Sequence, residues 1–430
     1  MSKSIGWALA LSLFALPVLG VAPSVLPAQD LLLKDADHKK LGGKIQEWIE
    51  AKVAKEGISD AKSDVRKELG KWAKKLKGPD PMSATGDLGR ALWYAFGYNN
   101  KGIVKGKVKD VEDKDSRDPL PYTILAPARY NPKNSYPLLI VVPEVGQKPF
   151  DYLTQAWVLG ELRDSCILVG VHMPDDEDDW NVIRNEKGKN GGVANILRTF
   201  AAVRSKYAID FDKVFLVGRM QGLQAAMLTA NQFPDRFAGV IGRTGDFKDI
   251  PADNFQNIAT YFAGGGEGAT SFSEATEKLG YGNCTIAPDA QEEDIWRWIQ
   301  ETTRNPNPTE VTILPGTPFP NGAYWLSMPP WDGEGTARIH GKVDRETNTI
   351  TIEGSGVVSV SVSFNDALVD LSKPVKVICN GVESEELVPR SVDELLNFAF
   401  TSRNDPGKLY YATRQYGLAA TGEEDAEESE

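Results

Sequence analysis

The sequence predicts an α/β protein whose mostly parallel sheet carries helices on both faces. A helical region precedes this unit and a β-sandwich-like module follows it. Three observations support this fold class. Short apolar runs alternate with helical patterns between about residues 121 and 305, which favours a parallel sheet covered on both sides. Apolar residues recur at helical spacing before this region, and the spacing changes to period two after about residue 307.

The first 28 residues have the pattern of an export signal. Lys3 precedes an uncharged apolar run, Ile5 to Ala22, and the small residue Ala28 follows a Pro-containing segment. This order is typical of a secretory signal peptide, with cleavage after Ala28. An uncleaved membrane anchor is the alternative, because the run is near the lower length for spanning a bilayer. We therefore expect a secreted or periplasmic protein with no stable membrane insertion after cleavage.

Residues 29–120 are predicted to form a helical region and a linker. Two apolar stripes recur at helical spacing, and a third helix is predicted over Asp87 to Tyr98. The stripes consist of Ile45, Trp48, Ile49 and Val53, and of Val65, Leu69, Trp72, Ala73 and Leu76. The lysine-rich remainder is interpreted as a solvated face, with a membrane-surface helix as the alternative. The charged residues 101–120 are predicted to be a strand or a linker.

Residues 121–306 are predicted to be the α/β unit. The helices are expected at FDYLTQAWVLGELRDS, GGVANILRTFAAVRSKY and LQAAMLTANQF. The strands are expected at YTILAP, YPLLIVVP, CILVGVHMP, KVFLVG, FAGVIGRTG and IATYFAGGG. Each apolar run is short enough for a buried strand and is bounded by Gly or Pro.

Residues 307–420 are predicted to be a β-rich module, because apolar and polar residues alternate there. Val360 and Val362 alternate with serines, and Ile350 and Ile352 alternate with threonines. A short helix near the end is predicted to begin at the N-cap Ser391. The tail, residues 421–430, is acidic and is predicted to be disordered.

Composition excludes some classes of function. The net charge of −12 argues against a nucleic-acid partner. Three cysteines do not make a disulfide framework, and Cys166 and Cys379 are expected to be buried in strands. FAGGGEGAT is neither a phosphate-binding loop nor a dinucleotide fingerprint. No cofactor is therefore predicted.

The segment VFLVGRMQGLQAA, beginning at Val214, predicts a sharp turn from a strand into a helix. Gly218 and Gly222 stand two residues before and two residues after Met220. Small residues at this spacing let a strand and a helix approach closely, as in a nucleophile elbow. The tip residue of such an elbow is normally a nucleophile. A methionine thioether has no proton to lose and cannot form an acyl-enzyme.

The order of these segments resembles the α/β-hydrolase fold, and more narrowly the secreted esterases related to acetyl-xylan esterases, feruloyl esterases and polyester depolymerases. YPLLIVVPEVGQ resembles the strand before the oxyanion loop in that family, and YAIDFDKVFLVGRMQG resembles the strand and elbow. ANQFPDRFAGVIGRTG resembles the following helix end and strand. A β-rich C-terminal extension also occurs in some members.

The resemblance implies a Ser–acid–His triad, and this sequence departs from it at every role. Met220 stands at the nucleophile position, Glu267 near the acid position and Gln291 near the histidine position. Glu144 lies in the segment that resembles the oxyanion loop, where a carboxylate would repel a developing oxyanion. The sequence therefore predicts a triad that is not intact.

The chain has only three histidines, and each is weighed as a general base. His38 lies in a basic segment and is expected at the surface. His172 follows a predicted strand at the carboxyl end of the sheet, where sites usually lie, although a structural role is favoured. His340 is expected to be solvent-exposed on a strand of the β-rich module, so that it would serve the elbow only if that module folded over the sheet.

Two further features are candidates for binding. Five carboxylates at residues 175–179 have oxygen ligands that suit Ca²⁺, but they lack EF-hand spacing, and a solvated loop is the preferred interpretation; no metal site is predicted. Trp180 beside them either lines a cleft or packs in the core. The residues expected to line a ligand site are Glu144, Gln147, Trp180, Met220, Gln221, Glu267 and Gln291.

The leading hypothesis is an exported α/β-hydrolase-fold pseudoenzyme with a binding or scaffolding role. Its partner would be a small molecule, a glycan or a peptide. The alternative is an active esterase or other hydrolase that uses an unrecognised nucleophile on a carboxylic ester or polysaccharide ester. In a third interpretation the α/β unit is a structural spacer, and Met220 is then buried in a filled cleft.

Overall fold

A computed structural model describes residues 31–113, 120–402 and 405–418. The predicted signal, residues 1–28, and the acidic tail, residues 421–430, lie outside these ranges, as do residues 114–119 of the predicted linker. The helices are α1 (Asp35–Ala54), α2 (Ile58–Leu76), α3 (Thr85–Tyr94), α4 (Pro149–Gln155), α5 (Gly160–Ser165), α6 (Gly192–Lys206), α7 (Gln221–Gln232), α8 (Glu267–Lys278), α9 (Glu292–Glu301) and α10 (Val392–Thr401).

The strands of the α/β unit are β1 (Lys109–Asp113), β2 (Leu120–Leu125), β3 (Tyr136–Val142), β4 (Ile167–Val171), β5 (Ile209–Arg219), β6 (Gly239–Thr244), β7 (Ala259–Phe262) and β8 (Cys284–Ile286). They form one sheet in the order β1-β2-β4-β3-β5-β6-β7-β8. The pairs β1–β2 and β2–β4 are antiparallel, and every other neighbouring pair is parallel. This is the α/β-hydrolase-like arrangement that the sequence predicted, so the fold class is confirmed.

Side chains of the central strand β3 alternate between two hydrophobic cores, one on each face of the sheet. Leu138, Ile140 and Val142 pack with α6, α7 and α8. Leu139 and Val141 pack on the other face with α4, α5 and α9. A strand that is apolar on both faces reads as a continuous apolar run, which is why YPLLIVV identified it.

One predicted helix is in fact two shorter helices. The sequence predicted a single helix over FDYLTQAWVLGELRDS, whereas the structure has α4, a break, and then α5. At the break Trp157 is fully buried. The Glu292 carboxylate accepts hydrogen bonds from the backbone amides of Val158, at 3.1 and 3.2 Å, and Leu159, at 2.9 Å. These tertiary contacts override the local helical pattern.

The two ends of the described chain share one hydrophobic core. The remaining strands are β9 (Glu310–Ile313), β10 (Gly322–Ala323), β11 (Leu326–Ser327), β12 (Arg338–Asp344), β13 (Thr349–Ser355), β14 (Ser359–Phe364), β15 (Val375–Cys379), β16 (Val382–Glu386) and β17 (Ala412–Gly417). They form a five-stranded and a four-stranded sheet. Their core also contains Leu41, Trp48 and Trp72 of α1 and α2. The N-terminal helices and the β-rich module are therefore one packed body.

This body contacts the α/β unit at the amino ends of its parallel strands. The Asn254 and Asn257 side-chain amides, which lie just before β7, donate to the carbonyls of Leu314 and Glu310 at 3.1 and 2.9 Å. The Tyr324 hydroxyl donates to the carbonyl of Pro234, just before β6, at 3.1 Å. The opposite ends of the strands are the carboxyl ends, where ligands bind in open α/β sheets.

Candidate functional site

The turn between β5 and α7 lies at the carboxyl end of the sheet and is built around two glycines. A Cβ atom added at Gly218 would lie 2.3 Å from the Cα of Leu223. One added at Gly222 would lie 2.5 Å from the carbonyl oxygens of Val142 and Pro143. Neither position has room for a side chain, so the glycines allow α7 to pack directly against the ends of β5 and β3.

Met220 occupies the tip of this turn in a strained conformation. Its φ is +48° and its ψ is −125°, a region that residues other than glycine rarely adopt. Its amide donates to the Thr244 carbonyl at 2.7 Å, and its carbonyl accepts from the Leu223 amide at 3.0 Å. Strain of this kind costs about 1–3 kcal/mol and persists where the surrounding structure imposes it. The geometry of a nucleophile elbow is therefore present without a nucleophile.

The tip opens into a solvent-accessible cavity of about 380 Å³. This volume is within the usual range for small-molecule sites. The Met220 side chain is 38% exposed there. The cavity is lined by Glu177, Trp180, Asn181, Met220, Gln221, Gln224, Gly245, Asp246, Phe247 and Lys248. A spacer with a filled cleft would have buried Met220, so the third interpretation does not describe this molecule.

Several walls of the cavity are held rigidly. The Asp246 carboxylate accepts from the amides of Phe247 at 3.0 Å and Gly268 at 2.7 Å. The Gln224 side chain makes a pair of hydrogen bonds with the backbone of Lys248, at 2.9 and 3.1 Å. The Trp180 indole N–H donates to the Pro174 carbonyl at 2.8 Å. The cavity is thus largely preformed.

Of the seven residues predicted to line a site, the cavity brings together Trp180, Met220 and Gln221. Trp180 is only 5% exposed, so it contributes an edge of the wall and is mostly packed in the core. Gln221 begins α7, and its amide is one of the first helical N–H groups that have no partner within the helix.

Glu144 and Gln147 lie beside the tip and are not among the cavity residues. The Glu144 carboxylate is 3.7 Å from the Arg219 guanidinium, which in turn lies 5.8 Å above the Tyr152 ring centre. The amide of Gln147 donates to the Glu144 carbonyl at 3.1 Å. Burial raises the pKa of Tyr152, although Arg243 and Arg219 act in the opposite direction. The Tyr152 phenol therefore stays protonated at neutral pH.

Glu267 and Gln291 also lie outside the cavity lining, and each is at a helix start. Glu267 is the first residue of α8 and is exposed. Gln291 is the N-cap of α9: its side chain accepts from the amide of Asp294, while its own amide donates to the Asp294 carboxylate at 3.0 Å. A reciprocal cap of this kind is a common structural device.

His172 is directed towards the edge of the sheet away from the elbow. Its Nε2 lies 3.0 Å from the hydroxyl of Thr123 on β2, and that hydroxyl donates to Asp110 on β1 at 2.5 Å. In the sheet β4 and β3 separate β2 from β5, so Thr123 and the elbow strand are about 14 Å apart. Thr123 is fully buried. This Thr–His–Asp group therefore has no accessible nucleophile.

His38 and His340 lie in the other body. The prediction that His38 is at the surface is wrong: it is 1% exposed, and its Nε2 is 2.7 Å from Asp87. The prediction that His340 is exposed is also wrong, since it is half-buried and paired with Glu310 at 3.1 Å on the neighbouring strand. The β-rich module packs at the amino end of the sheet, so His340 does not reach the elbow.

Asp246, Phe247 and Lys248 are cavity residues that the sequence analysis did not single out. They follow β6 directly, and loops after parallel strands form sites at this edge of a sheet. Their position in the sequence after a predicted strand was the signal that could have identified them. Glu177 lies within the acidic loop, Asn181 lies just after it, and both also line the cavity. Within residues 31–113, 120–402 and 405–418, no cluster of three or more His, Cys, Asp or Glu is placed to hold a metal ion.

The sequence matches no protein-family model. It also matches no curated protein sequence. Solved structures with some likeness include a thermostable esterase, at 16% identity and a TM-score of 0.36 over 46% of this chain and 63% of that chain. This chain thus spans less than two thirds of that esterase.

Two further structures are similar to a comparable degree. The acetyl xylan esterase from Aspergillus awamori matches at 15% identity and a TM-score of 0.29, over 36% of this chain and 72% of that chain. The feruloyl esterase module from Clostridium thermocellum matches at 13% identity and a TM-score of 0.33, over 43% and 81%. Scores this low support no inference about activity, and the fold is established by the strand order of the sheet.

Proposed function

We propose that this chain is a non-catalytic α/β-hydrolase-fold protein that binds a ligand in the elbow cavity. The observation that carries the proposal is Met220, which keeps the strained tip conformation without a nucleophile. Among the described residues, the cavity lining contains no Ser, Thr, Cys or His. A Ser–His type of acyl transfer needs a hydroxyl or thiol nucleophile with a histidine base in hydrogen-bonding reach, and this cavity lining supplies neither of these groups.

The composition of the cavity favours a peptide ligand. Met220 supplies exposed apolar surface, and Asn181 and Gln221 supply amides that can pair with a peptide backbone. A glycan would be better served by an exposed aromatic face, but Trp180 is mostly buried. Glu177, Asp246 and Lys248 give the lining a net charge of −1, which disfavours an anionic ligand.

We further propose that the protein acts outside the cytoplasm. Support comes from the N-terminal sequence, in which Lys3 and the apolar run that follows it precede the small residue Ala28. Among the described residues, none of the helices combines the length and hydrophobicity that a membrane crossing needs.

Esterase assays of the wild-type chain and of Met220→Ser test the lack of catalysis. We expect no hydrolysis of p-nitrophenyl acetate or methyl ferulate above buffer by either protein. A serine at the tip would supply a hydroxyl but no histidine base, because the three histidines are bound elsewhere. Wild-type turnover that disappears in Met220→Ala would contradict the proposal and support the active-hydrolase alternative.

The same preparation can report binding through its methionine methyl groups. The chain has six methionines, and Met220→Ala identifies the signal of Met220 in a spectrum of ¹³C-methyl-labelled protein. We expect N-acetyl dipeptide amides to shift the Met220 signal and to leave that of the fully buried Met227 in place. A shift with xylo-oligosaccharides alone would instead identify a glycan site.

A further inference from the structure

The start of α1 and the end of α2 form one rigid surface, which we name the lysine pole and define as residues 31–40 and 71–77. The Lys75 ammonium group donates to the Asp37 carboxylate across the two helices. The backbone amides of Leu32 and Leu33 donate to Asp87 at 3.1 and 2.8 Å. His38 holds the same carboxylate from the other side at 2.7 Å.

The charge of this pole is opposite to that of the whole chain. It contains seven lysines and two aspartates, whereas the net charge of the chain is −12. Both aspartates are already neutralised, Asp35 by Lys39 at 2.7 Å and Asp37 by Lys75. Within the described residues, four exposed lysines of the pole make no ion pair: Lys34, Lys40, Lys74 and Lys77.

The lysine pole exposes charged side chains. The apolar face of α2 is not available for insertion into a membrane. Val65, Leu69 and Trp72, the apolar stripe of α2, are buried in the core that the helices share with the β-rich module. The interpretation of α2 as a membrane-surface helix that inserts its apolar face is therefore wrong. Within the pole, the exposed large apolar side chains are those of Leu31 and Leu32, at 51% and 64%.

We propose that the lysine pole binds an anionic lipid surface. Only eight residues separate Ala22, where the apolar run ends, from Leu31, and this length of chain spans at most about 30 Å. While that run is in a bilayer, the pole is held within this distance of the lipid headgroups. Anionic phospholipids attract lysines near the surface, and the unpaired lysines supply the complementary charge.

The test is co-sedimentation of the full chain with two kinds of vesicle, phosphatidylcholine alone and phosphatidylcholine mixed with phosphatidylglycerol. Binding to the neutral vesicles measures any contribution of the apolar N-terminal run, which the full chain contains. We expect preference for the anionic vesicles at low salt, and we expect it to fade at high salt because charges on the surface are screened. Equal binding to both vesicles at low salt would overturn the proposal.

A variant with four lysine-to-glutamine substitutions tests whether the lysine pole causes the preference for anionic vesicles. It combines Lys34→Gln, Lys40→Gln, Lys74→Gln and Lys77→Gln. Glutamine matches lysine in helix propensity, so the helices should be retained. We expect the preference for anionic vesicles to fall by at least about tenfold.

The matched control removes the same charge from exposed lysines elsewhere on the chain. It combines Lys133→Gln, Lys187→Gln, Lys189→Gln and Lys278→Gln. We expect this variant to keep the preference of the wild type. A control that loses as much as the pole variant would show a net-charge effect and overturn the proposal. Capture of the wild type by soluble dextran sulfate at salt concentrations that release it from vesicles would also overturn it, because the pole would then bind any polyanion.

Discussion

The polar groups at the two ends of strand β5 differ: those at the amino end are paired, and some at the carboxyl end are not. At the amino end, the Arg304 guanidinium is 2% exposed and binds the Asp405 carboxylate at 2.8 and 2.9 Å and the Asp212 carboxylate at 2.9 and 3.0 Å. Lys408 pairs with Asp235 at 2.5 Å beside them. At the carboxyl end, the tip is strained, the cavity is open, and Gln221 and Lys248 line it without a hydrogen bond from their side chains to the described residues.

The two ends of the sheet differ in how their charged and polar groups are paired. Burial would raise the pKa of Asp405, but the Arg304 guanidinium outweighs that effect, so the pKa lies below its usual value. Burial outweighs the partners of Asp212 and Lys408, raising the pKa of the Asp212 carboxyl and lowering the pKa of the Lys408 ammonium group. Every charged group of this cluster nevertheless has a hydrogen-bonded partner where the second body packs. The carboxyl end keeps about 1–3 kcal/mol of strain that no visible catalytic group explains. Strain and polar groups without partners at the same place support the binding role that we propose for this end.

Replacing Arg304 should give the largest effect on the amino end. Arg304→Met removes the cation that faces two carboxylates, one of them buried, and breaking a buried ion pair costs about 3–5 kcal/mol. We expect a lower free energy of unfolding, measured as the shift of the urea midpoint at constant slope. Arg338→Met is the control, since Arg338 makes an exposed pair with Asp253 at 3.3 Å and should cost less than about 1 kcal/mol. Equal losses in the two variants would remove the contrast between the ends of the sheet.

At the carboxyl end, a pair of Met220 variants tests whether the backbone of the tip is strained. Glycine adopts a positive φ without the steric cost of a Cβ atom, whereas alanine keeps that cost. We expect Met220→Gly to be more stable than Met220→Ala by about 1 kcal/mol, because relief of strain exceeds the extra entropy of glycine in the unfolded chain. Thermal unfolding of both variants measures the difference. If the two variants melt together, the tip is not strained in solution.

The sequence predicted most elements of the α/β unit because their patterns are local, but it did not predict α8 and β8. The run at β3 and the glycines around Met220 are visible without knowledge of the fold, and so is the Ser391 cap, whose hydroxyl accepts from the Glu394 amide at 3.3 Å. The misplacement of His38 has a different origin. His38 lies three residues before Leu41 and seven before Ile45, on the buried stripe of α1, but the neighbouring lysines suggested a surface position. Its partner Asp87 is 49 residues away.

The cavity could be predicted only in part. Met220 and Gln221 follow from the turn itself, whereas Asp246 and Lys248 depend on the path of the loop after β6, which is set by the Gln224 hydrogen bonds with the Lys248 backbone. The shared core of the N-terminal helices and the β-rich module was also not predictable. This core brings together residues such as Trp72 and Val362, which are far apart in the chain. The periodicity of a sequence contains no information about such long-range contacts.

The smallest expected effect concerns pH and His172. Burial lowers the pKa of His172 below its ordinary value of 6.5, and Asp110 opposes this only in part. The unfolded chain therefore binds the proton at a higher pH than the folded chain. Stability should fall as the pH falls below about 6.5 towards the lower folded-state pKa, and it should gain nothing from His172 above that pH. Urea unfolding at pH 7 and pH 5 measures the change.

His172→Gln isolates this contribution from other groups that titrate. The Thr123 hydroxyl donates to Asp110, so its oxygen accepts from the Nε2–H of His172, and a glutamine amide can donate in the same way without titrating. We expect the variant to lose less stability than the wild type between pH 7 and pH 5. A pH dependence that is unchanged in the variant would mean that His172 does not respond to its burial. The pH dependence of stability would then arise from groups other than His172. The contrast between the two ends of the sheet would depend on the Arg304 and Met220 variants alone.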